Sequence, residues 1–166
     1  MRTVFLSLCA MMLMCASALA QSNVYPVTVN YNLSIELLIK AGNYDLRHPI
    51  ITDANFPSVR SGEAKIEIVL VEFNRHVSYK SALAELNKQG LRPADLKELL
   101  AFGAKYPEEQ YGLPILALGS PWKSLRYYGT RYVSCLTYES PAQRSLDLCL
   151  TSAIDTRFFR FAAVRK

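Results

Sequence analysis

One short stretch gathers side chains that could do recognition chemistry. Residues 122–132 read Trp-Lys-Ser-Leu-Arg-Tyr-Tyr-Gly-Thr-Arg-Tyr. Four aromatics (Trp122, Tyr127, Tyr128, Tyr132) are interleaved there with three cations (Lys123, Arg126, Arg131), and Trp122 is the only tryptophan of the chain. Flat rings stack on sugar faces or bases, while guanidinium and ammonium groups bind carboxylate, sulfate or phosphate. These types predict a loop that binds an anionic glycan, an envelope component or a protein partner. The competing reading is a long loop whose aromatics pack back onto the fold. Nucleic acid is not an expected partner, and no cofactor is expected.

Catalytic patterns offer less. The sequence holds no Gly-x-Ser-x-Gly, no Gly-x-x-x-x-Gly-Lys-[Ser/Thr] and no Gly-x-Gly-x-x-Gly. His48 and His76 are the two histidines. Either could join a Ser-His-Asp triad, for example with Asp53 or Asp45, but both read better as surface residues. Glu108 and Glu109 are adjacent after a proline and point apart, whereas a glycosidase needs two converging acids. A structural zinc site needs four ligands, and no Cys-x-x-Cys is present. The Asn32-Leu33-Ser34 sequon is explained as well by Ser34 capping a helix. The reading is a binding protein without catalytic residues; alternatives are a structural or assembly component of an envelope or surface complex, and an enzyme of unrecognised type.

The compartment follows from the first twenty residues. Arg2 precedes an apolar run, Val4 to Met14, and Ala18-Leu19-Ala20 gives the small-x-small pattern of signal peptidase. Residues 1–20 are therefore expected to be a signal peptide, cleaved near Ala20, with residues 21–166 exported to the periplasm or beyond. An uncleaved anchor over Val4–Ala20 is the alternative. A lipoprotein reading through Cys15 meets Met14 where a small residue belongs. After residue 20 no apolar run is long enough to cross a bilayer. Charge is uneven in the remainder. Up to Gln110 ten Lys/Arg face eleven Asp/Glu, whereas residues 111–166 hold eight against three. A basic last third suits anionic partners or a solvated rim.

Cys135 and Cys149 remain after the signal, and an exported pair is usually oxidised; free thiols are the alternative. Arg131–Tyr138 and Leu146–Thr151 read as strands around a turn-rich segment. A hairpin centred on Ala142 sets Cys135 opposite Cys149, Leu136 opposite Leu148 and Tyr138 opposite Leu146. That register turns the leucines to the core and leaves the cysteines on the more exposed face.

The elements that must hold these residues are legible upstream. Val27, Val29, Tyr31 and Leu33 alternate with polar residues, a half-buried strand. Ser34 caps a short helix, Ile35–Ala41, which Gly42 ends in the left-handed position. Residues 43–62 read as loop. Ala64–Phe73 carries apolar groups on both faces and so predicts a central strand. Ser78 opens a helix to Lys88 with Ala82, Leu83 and Leu86 inward and Gly90 as its stop. Asp95 and Glu98 form a capping pair for a third helix with Leu96, Leu99, Leu100 and Phe102 inward, and Pro107 blocks its extension. Leu113–Leu118, the cysteine hairpin and Arg157–Val164 read as strands. The fold class is α+β, one domain, with helices in the first half packed on a mainly antiparallel sheet.

From about Ala82 onward the order of motifs resembles the C-type-lectin-like fold of bacterial exported proteins. Gly90-Leu91-Arg92-Pro93-Ala94-Asp95-Leu96-Lys97-Glu98-Leu99 is similar to the helix start of formylglycine-generating-enzyme-like domains and of the variable proteins of diversity-generating retroelements, with Asp95 where those carry Thr. Leu118-Gly119-Ser120-Pro121-Trp122 is similar to their small-residue and Trp segment, and Arg160–Arg165 to their last strand. The ending also resembles that of an uncharacterised bacterial family. The resemblance implies a C-type-lectin-like C-terminal half, about residues 82–166, with its ligand surface on late loops and strands. Trp122–Tyr132, with Arg144 and Arg157, would lie near that surface. It does not carry over the catalytic cysteines of the enzymes. Nor does it carry over the calcium ligands of the lectins, since only Glu139-Ser140-Pro141 stands in that place.

Overall fold

A computed structural model describes residues 24–126, 128–140 and 143–166. The expected signal peptide and Tyr127 lie outside the described residues. In chain order the elements are β1 (Val24–Asn30), α1 (Ile35–Gly42), β2 (Leu46–Arg47), β3 (Glu63–Glu72), α2 (Tyr79–Lys88), β4 (Leu91–Pro93) and α3 (Leu96–Lys105). The second half follows with β5 (Ile115–Ser124), β6 (Thr130–Ser140), β7 (Gln143–Leu150) and β8 (Arg160–Arg165). Short 3-10 turns occupy Pro107–Tyr111 and Thr156–Phe158. The strands form one mixed sheet in the order β1-β3-β8-β5-β6-β7-β2, and β4 also pairs with β8. Pairing is antiparallel except between β5 and β8 and between β2 and β7. The α+β class stands, with the helices in the first half.

The central strands are apolar on both faces because both faces are covered. Ile68 and Leu70, Ile115 and Ala117, Leu136, Ala162 and Val164 meet the buried residues of α1 and α3. Their alternating neighbours Leu116, Leu118, Val133, Cys135, Phe161 and Ala163 meet Ala82 and Leu86 of α2, with Phe73, Val77 and Ile154. Helix starts follow the sequence closely. The Ser34 and Ser78 hydroxyls accept from Leu37 and Ser81 N–H, and Asp95 with Glu98 forms a complete capping box. The end of α1 differs: Gly42 is the last helical residue, and Asn43 takes the left-handed position at φ 48°. Asn tolerates that region through local hydrogen bonding, so glycine is not required there.

The cysteine hairpin corrects the expected register. Cys135 faces Asp147, Cys149 faces Val133, and Leu136 pairs with Leu146. The fully buried Leu136–Leu146 pair occupies the α1/α3 core and sets the alignment. Both cysteines still share one face, now diagonally, with α-carbons 6.2 Å apart and a disulfide between them. That face is not the exposed one. Cys135 is completely buried, because α2 and Ile154 cover the side that a one-sided sheet would leave in water.

The second edge of β8 positions the hairpin that follows β5. The first residues of β8 pair with β5 (Ile115↔Arg160, Leu116↔Phe161), and its last with β4 (Leu91↔Arg165, Arg92↔Val164, Pro93↔Ala163). Where β4 and β5 meet, Gly119 N–H donates to the Ala94 carbonyl at 2.8 Å. A Cβ on Gly119 would stand 2.6 Å from that oxygen, so only glycine fits. Beyond this junction β5 shifts register, between Ala117 and Trp122, and continues as a ribbon with β6. Reduction of Cys135–Cys149, which closes a loop of 14 residues, is expected to lower the unfolding free energy by about 3 kcal/mol. Denaturant titrations with and without reductant measure it, and coincident midpoints would contradict the cross-link's contribution.

Candidate functional site

The segment expected to be a loop is instead a β-ribbon with a short turn. Trp122 pairs with Tyr132, Lys123 with Arg131, and Ser124 with Thr130. The turn between them holds Gly129 at φ +75° and Tyr128 at φ +50°. Leu125 and Tyr128 stand almost wholly in water, 97% and 105% exposed. Trp122 and Tyr132 lie side by side with ring centroids 5.7 Å apart and planes inclined by 46°, and Trp122 rests on the α1/α3 core. The pair lines a cleft of about 460 Å³, in the size range of small-ligand sites. Ser124, Leu125, Arg126 and Leu148 continue the wall, and Lys123 contributes to it. His48, Ile50 and Asn55 close the far side.

Those last three come from residues 43–62, read as loop from the sequence. The segment is loop, but it is anchored. β2 pairs with β7, His48 N–H donates to the Leu146 carbonyl at 2.9 Å, and Ile51 and Phe56 are buried. Asn55 Nδ2 donates to the Ile50 carbonyl at 2.8 Å, and His48 Nδ1 accepts from Ile50 N–H at 3.2 Å. Nothing in the periodicity of this segment could reveal that it folds against the hairpin, because its contacts are about a hundred residues away in sequence.

Alternation along the strand divides the expected ligand set. Arg131 and Lys123 oppose each other one step from the Trp122–Tyr132 pair and so belong to the other face of the ribbon. The Arg131 guanidinium lies 5.0 Å from the centre of the Tyr79 ring, on the α2 side. Two further arginines expected near the ligand are used elsewhere. Arg144 donates to the carbonyls of Gly42 and Gly103 (2.7 Å) and to Gln110 Oε1 (3.0 Å), with its guanidinium over Tyr44. It joins the ends of α1 and α3 to β7. Arg157 is held by Asp155 at 2.6 Å.

The carboxylates considered for a triad are also committed. Both Asp53 oxygens accept from Ile35 N–H at 3.1 Å, and Asp45 accepts from Arg144 N–H at 2.8 Å. His76 stands 3.8 Å from Asp155, whose carboxyl is held down at about 2 by its bonds to Arg157. Among the described residues no three His, Cys, Asp or Glu side chains gather as a metal site, and no helix is long and apolar enough to cross a membrane.

Comparison of the chain with protein-family models, with curated proteins and with solved structures finds no match. The function must be read from the sites themselves.

A second cleft, of about 440 Å³, lies beside the start of α3 and includes Asn55, Arg60, Arg92, Asp95 and Ser120. Its charges serve the fold. Glu98 is 0% exposed, and its carboxylate accepts from the Tyr31 hydroxyl (2.6 Å), from Arg92 (2.7 and 2.9 Å), from Arg60 (3.1 Å) and from Asp95 N–H (2.9 Å). Burial alone would raise the Glu98 carboxyl, but the bonds from Arg92, Tyr31 and the Asp95 backbone outweigh it and hold the group below its ordinary 4.5. Burial and the bond to Glu98 push the Tyr31 hydroxyl up to about 12. Asp95 moves the other way, raised by its own burial and by the Glu98 charge.

A lowered folded-state value means that Glu98 contributes stability above its unfolded value, lost as pH falls through the folded one. Asp95, with its value raised, opposes that slope. Glu98→Gln is expected to cost about 3–5 kcal/mol near neutral pH and to flatten the loss of stability below about pH 4.5. Chemical denaturation from pH 3 to 7 measures both. An acid slope equally steep in the variant would show that Glu98 is not its source.

Proposed function

We propose that this is an exported binding protein without catalytic function, which recognises an anionic glycan of the cell envelope in the cleft between the β5–β6 hairpin and residues 48–55. The observation that carries the reading is the composition of the cleft wall. A half-buried Trp122–Tyr132 pair is flanked by His48 and Arg126, and no acidic side chain is among the described residues that line the cleft. Aromatic faces take the apolar faces of sugar rings, and basic groups at the rim select carboxylate or sulfate substituents. Excess positive charge in the last third of the chain favours the approach of such a ligand. Residues 1–20 support export, and a Cys135–Cys149 disulfide suits an oxidising compartment. The order of motifs from Ala82 supports a C-type-lectin-like C-terminal half, with its ligand surface on late strands.

A second reading, assembly with a protein partner in an envelope or surface complex, draws on the turn of the same hairpin. Leu125 and Tyr128 place bulky side chains in water, where a partner could cover them. Trp122, as the only tryptophan, makes its own emission a direct probe. In a screen of acidic and neutral oligosaccharides, an acidic member is expected to change Trp122 fluorescence saturably and more weakly at high salt. Arg126→Gln is expected to lower that affinity by about tenfold. Absence of any response from the folded, oxidised protein would sink the glycan reading and leave the partner surface.

A further inference from the structure

The opposite face of the hairpin carries a third cleft, of about 370 Å³, that the proposed glycan site does not use. Three basic side chains from three parts of the chain line it: His76 before α2, Lys80 in its first turn, and Arg131 of β6. Thr151 and Ser152 also line it, and no acidic side chain is among the described residues of the wall. We propose that this cleft is a distinct binding site for a tetrahedral oxyanion, the phosphate or sulfate group of a small ligand, with Arg131 as its central contact.

Arg131 supplies the first argument. Its guanidinium is placed over the Tyr79 ring, and that ring is fixed by a hydrogen bond from its hydroxyl to the Leu118 carbonyl at 3.1 Å. A planar cation stacked in this way keeps its in-plane N–H groups available for an oxyanion. Among the described residues its Nε, although buried, has no hydrogen-bond partner. A buried donor left unpaired is disfavoured, and a small turn of the guanidinium toward a bound anion would satisfy it.

The second argument is independent of the first. Lys123 lies directly opposite Arg131 in the ladder, and like charges so placed in neighbouring strands destabilise the pair. An anion at the Arg131 guanidinium removes that repulsion. Asp155, 3.8 Å from His76, does not fill the role, since Arg157 already holds it at 2.6 Å. The N-terminal turn of α2 forms part of the same wall and adds a favourable dipole, without carrying the assignment.

The test uses inorganic phosphate as the probe, followed by two-dimensional NMR at constant ionic strength on the oxidised protein. Saturable shifts are expected at residues 76–80, 131 and 151–152, with a dissociation constant of roughly millimolar order. Arg131→Gln is expected to weaken binding about fivefold or more, Lys80→Gln about twofold to threefold, and Arg126→Gln in the other cleft less than about twofold. Lys80 is exposed, so its variant decides the matter even if Arg131→Gln fails to fold. Unsaturable shifts spread over all basic residues, or equal weakening by Arg126→Gln, would overturn the site. So would unchanged binding in both the Arg131 and Lys80 variants. Parallel titrations with sulfate and glucose 6-phosphate separate a free ion from an esterified group. Because Arg126→Gln reads the glycan cleft and Arg131→Gln reads this one, each site can fail alone.

Discussion

The first half of the fold is joined at the Glu98 carboxylate. A buried ion is costly unless its partners surround it, and here they come from four places in the chain. Tyr31 follows β1, Arg60 precedes β3, Arg92 lies in β4 and the Asp95 N–H opens α3. Lys97, one residue earlier, is also buried and donates to the carbonyls of Tyr31 and Leu33, both at 2.7 Å. The start of α3 is thereby tied to both ends of the β1–α1 connection. A capping box, ordinarily a local device of a few side chains, serves here as the joint between helix and sheet.

That joint determines where the hairpin stands. Once α3 is fixed, β4 and Ala94 are fixed on β8, and Ala94 leaves room only for a glycine on β5. Ser120 then accepts from Leu96 N–H at 2.8 Å, so the strand is held to the helix start just before it departs as a ribbon. Trp122 emerges two residues later. The position of the aromatic pair therefore depends on close backbone contact at Gly119 as well as on its own packing.

The ribbon turns one basic aromatic run into two surfaces of different chemistry. One face sets Trp122 and Tyr132 beside His48 in a broad cleft; the other sets Arg131 on Tyr79 beside α2. Both faces are built on the core of the same sheet, and among the described residues neither wall includes a carboxylate. A single strand period of two residues accounts for the division.

Local signals were strong enough to be read directly. Ser34, Ser78 and the Asp95–Glu98 box mark helix starts because a side-chain oxygen three residues before an amide satisfies it whatever the fold around it. The two-sided apolar runs of β3, β5 and β8 announce buried strands because water is excluded from both faces. The class of fold follows from such short-range rules, and residues 122–132 stand out by side-chain type alone. What only the tertiary structure decided is long in range. The hairpin register moved to suit Leu136 and Leu146 in a shared core. Cys135 was buried by a helix some fifty residues upstream. Arg144 was drawn away to the ends of α1 and α3, and residues 48–55 arrived to close the cleft. Each depends on which surfaces meet, and chain neighbours within one strand or helix carry no record of that.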